Sequence, residues 1–329
     1  MPRIEAANRQ NNVKFTINLK RKLRLPLWDQ PVRCSCGDIM DEWGDHAFNC
    51  RSNTKTIMSN QIRDGVAKLF QRILQTVKMI DTKSAVDTEL EGFLNRAPNL
   101  RPFDLSVQLD HLMNDSPWKT TLSHLGFDVT VIPSAASSSS ASQSARKHES
   151  IRRLRDAEQM KFCRDDYTND SGFTLSGDAI IGDILDSHAA LIPIAVTEFG
   201  QFGPLFRRFC FNGAAFPLNI SKSKFPNAHA ADILARSKDV PRGILQKAND
   251  IWRHSNPDDY YGFSYKARDP LTYAEQQLGS IFLNAASSHI LRVYKKVKSK
   301  PVNISKISDK PLLCHYIDPA PSQSSRLHD

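Results

Sequence analysis

The sequence predicts an α/β fold, a mixed sheet flanked by helices, with a small Cys/His loop ahead of it and helical additions behind it. Three observations carry this prediction. Apolar residues recur at three- and four-residue steps over about 54–79 and again after Asp269-Pro270, the period of a helix with one buried face. Between these stretches, 101–109 and 126–132 alternate apolar and polar residues, the period of half-buried strands. Near the N-terminus, three Cys and one His crowd into a single loop, Cys34 to Cys50.

The chain has 329 residues, 40% hydrophobic and 24% charged, the balance of a globular protein. It holds no run of about eighteen apolar residues, so no transmembrane helix is expected and no membrane partner. Met1 to Asn12 is polar with no apolar core, which argues against a secretory signal. An intracellular, reducing setting follows, with the six cysteines serving as metal ligands and free thiols. The formal charge of +9 favours a polyanionic partner such as nucleic acid.

Residues 1–25 read as a basic arm, in which 13–25 alternate basic and apolar residues and suit either a strand, a short helix or a contact to phosphate. Residues 26–53 form a zinc-knuckle-like unit. Cys34, Cys36, His46 and Cys50 offer three thiolates and an imidazole, a common closed tetrahedral set for structural Zn²⁺. So short and polar a loop buries no core of its own, and a metal would supply its folding free energy. Arg21, Lys22, Arg24, Arg33 and Arg51 surround it and are the candidate contacts to a nucleic-acid backbone.

The core spans 54–210. Ile62, Val66, Leu69, Ile73 and Val77 make the inward stripe of the first long helix. A weak strand follows near Val86 to Leu90. In the 101–109 strand, period two puts Phe103, Leu105, Val107 and Leu109 on one face and Asp104, Ser106 and Gln108 on the other. In 126–132, Phe127, Val129 and Val131 are apolar, with Asp128 and Thr130 opposite. The Ser/Ala run 134–144 reads as a flexible loop, 145–165 as a charged helix, and 166–188 as a polar, flexible insertion. Leu191 to Val196 suits a buried strand, with Pro193 arguing for an edge or a strand start. Beyond it lie helices at 228–236 and 241–254, a long one from Pro270, capped by Asp269, and a tail at 300–329 expected to be disordered.

Were the two strands neighbours, Asp104 and Asp128 would converge on one face. Two adjacent carboxylates repel unless a cation lies between them, and Mg²⁺ is commonly held by one or two carboxylates plus phosphate oxygens. Lys161 lies seven residues after Leu154, on the inward stripe of its helix, where an ammonium needs an anionic partner or must reach out to water.

The ordered series Leu25-Pro26-Leu27, Gly44-Asp45-His46-Ala47-Phe48-Asn49-Cys50, Arg101-Pro102-Phe103-Asp104, Asp128-Val129-Thr130-Val131, Ala157-Glu158-Gln159-Met160-Lys161-Phe162 and Pro193 to Gly200 resembles the C-terminal region of certain non-LTR retrotransposon polyproteins. There a CCHC zinc motif precedes a restriction-endonuclease-like domain of the PD-(D/E)xK class. The resemblance covers roughly residues 23–210. It implies that Asp104 and Asp128 bind catalytic Mg²⁺, that Lys161 is the catalytic lysine, and that the chain is a DNA endonuclease acting in the nucleus. Two departures stand out. Thr130 occupies the place of the Lys in an ordinary E-x-K motif, so the site depends on Lys161. The helix motif, which often carries two Lys, has Glu158 upstream of Lys161. No polymerase signature is visible, since Asp258-Asp259-Tyr260 and Asp165-Asp166-Tyr167 stand in other contexts. Two further readings remain open: a catalytically inactive zinc-knuckle protein that binds nucleic acid, and a structural protein whose aspartates merely solvate a sheet face.

Overall fold

A computed structural model describes residues 12–28, 32–50, 52, 55–77, 85–88, 91–94, 96–108, 122–133, 143–211, 232–233, 243–256 and 269–298. Its centre is a four-stranded mixed sheet of order β3-β4-β5-β8, where β3 is Val86–Thr88, β4 Leu105–Gln108, β5 His124–Ile132 and β8 Ala189–Thr197. The pairs β3–β4 and β4–β5 are antiparallel, whereas β5 and β8 are parallel. A parallel pair requires a crossover. Here the crossover holds α4 (Gln143–Met160), the hairpin β6–β7 (Tyr167–Thr168 and Thr174–Leu175) and α5 (Gly177–Asp186).

The two sheet faces bury separate cores. On one, Leu105, Val107, Phe127, Val129, Ile192 and Ile194 pack with α3 (Thr56–Thr76), α6 (Pro204–Phe211), α7 (Ile244–Ser255) and α8 (Pro270–Lys298). The predicted stripe of α3 is buried throughout, from Ile62 to Ile73 at 4% exposure or less. On the other face, Phe162, Ile180, Ile181, Ile184 and Leu191 form a second cluster under α4 and α5. No helix among the described residues is long and apolar enough to cross a membrane.

Several expectations need correction. Residues 166–188 are not a loose insertion: Ser176 caps α5 by accepting from the Ala179 amide at 3.2 Å, and the three isoleucines of α5 hold it on β8. Its short apolar stripe was obscured by the aspartates around it. Strand β4 is shorter than 101–109. Pro102 has no N–H to donate, and Phe103 leaves the predicted alternation, joining the second core while Leu105 and Val107 face the first. The Phe103 ring lies over Gly126, where a Cβ would sit 2.1 Å from it. Pro193 is tolerated in β8 because this strand ends the order, although helices bury it along its full length. At the start of α8, the Thr272 amide bonds the Asp269 carboxylate at 2.8 Å, the predicted cap. The Ser/Ala run 134–142, most of 228–236 and the tail 300–329 lie outside the described residues.

The N-terminal segment is helical, α1 (Asn12–Lys22), and docks on α8, with Asn18 Nδ2 donating to Leu283 O at 3.1 Å. The Cys/His loop holds a two-strand hairpin, β1 (Val32–Arg33) with β2 (Ile39–Met40), and the one-turn helix α2 (His46–Asn49). It is not a separate bead: Cys34, Met40, Ala47, Phe48 and Cys50 belong to the main core.

Candidate functional site

The four predicted metal ligands come together. The ligand atoms of Cys34, Cys36, His46 and Cys50 all lie within 4.8 Å of one another and can hold a metal ion such as zinc. Cys34 Sγ is 3.5 Å from Cys50 Sγ, and Cys36 Sγ is 3.3 Å from His46 Nε2. These separations suit the edges of a tetrahedron with metal–sulfur bonds of about 2.3 Å. The thiols perturb one another. Burial pulls Cys34 up, but hydrogen bonds from the Cys36 backbone, Cys50, His46 and Cys36 outweigh it and hold its pKa at about 6. At Cys36 the Asp38 backbone bond favours the thiolate, yet burial and the neighbouring Cys50, Cys34 and Asp38 push it to about 12.

Local sequence builds this cluster. The hairpin turns at Gly37, whose φ of +98° a side chain would resist, and its amide bonds Cys34 O at 3.0 Å. The Asp41 carboxylate accepts from the amides of Trp43, Asp45 and His46, which starts α2 and aims His46 at the thiols. From below, buried His289 of α8 pairs through Nε2 with Ala47 O at 3.0 Å, and Arg292 lies 2.9 Å from its Nδ1. With Arg292 donating, Nδ1 accepts and Nε2 carries the proton.

The basic residues around the cluster divide. Lys22 and Arg33 are exposed. Arg24 is partly exposed, bonded to Asp45 Oδ2 at 2.7 Å and placed over the Trp43 ring. Arg21 corrects the expectation of a surface cation. It is 2% exposed, pairs with Asp45 at 3.1 Å and Glu198 at 3.7 Å, and lies between the Phe48 and Phe199 rings. Its guanidinium locks α1 to the Cys/His loop and to the end of β8. Arg51 lies outside the described residues.

The second group sits at the open end of the β4–β5 ladder. The pairing Leu105↔Phe127 brings Asp104 alongside Asp128, and the Val129 amide donates to Asp104 Oδ2 at 2.7 Å. Burial above all, then the Asp128 charge, raises the Asp104 pKa to about 6, against the Val129 bond and Lys161. Lys161 follows the last turn of α4 and reaches the same carboxylate pair, its Nζ 2.9 Å from Asp128 Oδ1.

Three supporting residues escaped the sequence. Arg164, in the turn after α4, donates from Nη2 to Asp128 Oδ2 at 3.3 Å and to Pro102 O. Gly177 backs this turn, since a Cβ there would lie 1.8 Å from Arg164 O. Glu158, which is fully buried, accepts from the amides of Leu205 and Phe206 at the start of α6. The spacing of Arg164 from Lys161 is the only signal in the sequence, and it is silent on where the chain turns after α4.

No known protein family, curated protein or solved structure matches this chain.

Proposed function

We propose that this chain is a retrotransposon-derived, divalent-metal-dependent DNA endonuclease with Asp104, Asp128 and Lys161 as its active site. One observation carries the reading: two coupled carboxylates and an ammonium converge at the end of β4 and β5. Opposed carboxylates destabilise a pair of strands, and the Asp128 charge adds to burial in raising the Asp104 pKa to about 6, an effect that a cation between the carboxylates would counter. The donor set therefore fits Mg²⁺, which binds oxygen ligands.

Asp104 and Asp128 would hold the ion. When bound, Mg²⁺ supplies Lewis-acid activation of water and neutralises charge on a phosphodiester. The chain's own residues do the rest. The Val129 amide holds Asp104 in place. Lys161, partly exposed, can swing from Asp128 to a phosphate oxygen or to the attacking water, placing positive charge where negative charge develops. Lys22, Arg24 and Arg33 offer salt-dependent contacts to the DNA backbone, and the Cys/His cluster keeps that surface in place. Such an enzyme works in the nucleus.

The test is nicking of supercoiled plasmid by the purified chain with Mg²⁺. The wild type is expected to nick. Asp104→Ala and Asp128→Ala are expected to bind DNA but not cut it, because the carboxylates contribute little to backbone affinity. If the wild type binds DNA and cuts it with neither Mg²⁺ nor Mn²⁺, the chain is an inactive nucleic-acid-binding protein. The pairing of Asp128 with two cations, Lys161 and Arg164, favours that second reading.

A further inference from the structure

We infer that Arg164 is a positioning residue of the carboxylate site and sets its demand for a divalent cation, by holding Asp128 in competition with the metal. The role rests on the endonuclease reading only for its effect on cutting.

Three observations lead to it. The Arg164 guanidinium bridges the two segments that bear the aspartates, since Nη2 donates both to Asp128 Oδ2 at 3.3 Å and to Pro102 O, two residues before Asp104. Backbone packing fixes where Arg164 starts, because its carbonyl fills the space a side chain at position 177 would need. The adjoining turn is pinned as well, with the Gly177 amide donating to Asp166 Oδ1 at 2.9 Å. Lastly, among the described residues Arg164 Nε is buried without a hydrogen-bond partner. A guanidinium placed for maximal hydrogen bonding would not leave that donor unmet, so its position is set by the turn and by what Nη2 reaches.

Lys161 and Arg164 thus occupy the two oxygens of Asp128 separately. Their chemistry differs. Lys161 is a mobile point charge on a flexible stem, while Arg164 is a planar group tied through Nη2 to both aspartate-bearing segments. When a divalent ion comes to Asp128, Lys161 can leave for solvent or phosphate. Arg164, only 17% exposed, stays. Its charge then opposes the ion from a few ångströms away, while its bridge keeps the two carboxylates at a constant spacing. In water this repulsion alone weakens binding on the order of tenfold. Removing the charge should therefore tighten metal binding and loosen alignment. A merely structural arginine would not do this, because its loss would weaken binding and alignment together.

The experiment measures Mn²⁺ binding by electron paramagnetic resonance on the full chain, with nicking of supercoiled plasmid in parallel. Compared are the wild type, Arg164→Gln, Arg164→Lys and Asp128→Asn, with melting curves as folding control. Arg164→Gln is expected to bind Mn²⁺ about tenfold more tightly and to nick more slowly at saturating metal. Arg164→Lys keeps the charge and is expected to bind as the wild type does. Asp128→Asn should lose Mn²⁺ binding, leaving the signal of the free ion. The inference is overturned if Arg164→Gln binds Mn²⁺ as the wild type does or more weakly. It is overturned too if the charge-retaining Arg164→Lys gains the same tightening, or if wild type and Asp128→Asn bind alike. Should Arg164→Gln bind more tightly while no variant nicks DNA, the role of Arg164 toward the metal stands and only the endonuclease reading falls.

Discussion

Glu158 is fully buried, and the neighbouring Gly203 leaves it no room to move. A Cβ at 203 would lie 2.0 Å from Glu158 Oε1 and 2.3 Å from its Cδ, distances no real contact reaches, so Gly203→Ala must displace the carboxyl. That carboxyl accepts from the Leu205 amide at 3.1 and 3.3 Å and from the Phe206 amide at 3.4 Å, satisfying donors that the start of α6 otherwise leaves open. Losing the hydrogen bonds to these two amides, at about 0.5–1.5 kcal/mol each for a carboxyl that keeps its proton, predicts a destabilisation of about 1–3 kcal/mol near neutral pH. This is a measurable share of a typical stability of about 5–15 kcal/mol. Urea titration followed by circular dichroism reads it directly. The pH dependence gives a second check. Burial raises the Glu158 pKa from 4.5 to about 8, with the two amides and Arg155 pulling the other way. The folded state therefore keeps its proton where the unfolded chain has lost it. Stability contributed by this group is intact below about pH 4.5 and falls as pH rises toward 8. The fall has an upper bound of about 5 kcal/mol. Asp104 acts in the same direction at lower pH, so the comparison that isolates Glu158 is Glu158→Gln, in which the decline between pH 5 and 8 should shrink. A Gly203→Ala chain with the wild-type midpoint, or a Glu158→Gln chain with an unchanged pH slope, would refute the reasoning.

Other outcomes follow from the same structure. Leu69, 4% exposed on the inward stripe of α3, should cost about 2–5 kcal/mol when cut to Ala, and an unchanged melting temperature would count against that packing. Because Cys34, Phe48 and Cys50 lie in the main core, chelation or Cys50→Ser should lower the melting temperature of the whole chain and speed hydrogen exchange around His289. Exchange confined to residues 32–50 would show the loop to be independent. If the carboxylate site cuts DNA, its rate should climb as pH passes through about 6, where Asp104 ionises. A rate flat from pH 5 to 8 would remove Asp104 from the metal site.

What was legible in the sequence is what local rules govern. The helices α3 and α8 and the strands β5 and β8 follow from apolar periodicity, and the Asp269 cap from its side chain, since backbone geometry alone decides which residues share a face. The four Cys/His ligands were legible because the loop that carries them is short: any compact path brings residues 34–50 together. Strand parity brings Asp104 and Asp128 together as expected, but helix phase does not place Lys161, which reaches them from the turn after α4. Tertiary structure alone decided the rest. Arg21 reads as one more surface cation until α1 folds it between Asp45 and Glu198. Phe103 breaks its alternation because Gly126, on another strand, leaves a space for its ring. Residues 166–188 look polar until α5 finds the face of β8 that its three isoleucines cover. For Arg21 and Phe103 the deciding partner lies far away in the chain. Burial and charge pairing depend on which distant group arrives, and no local pattern encodes that.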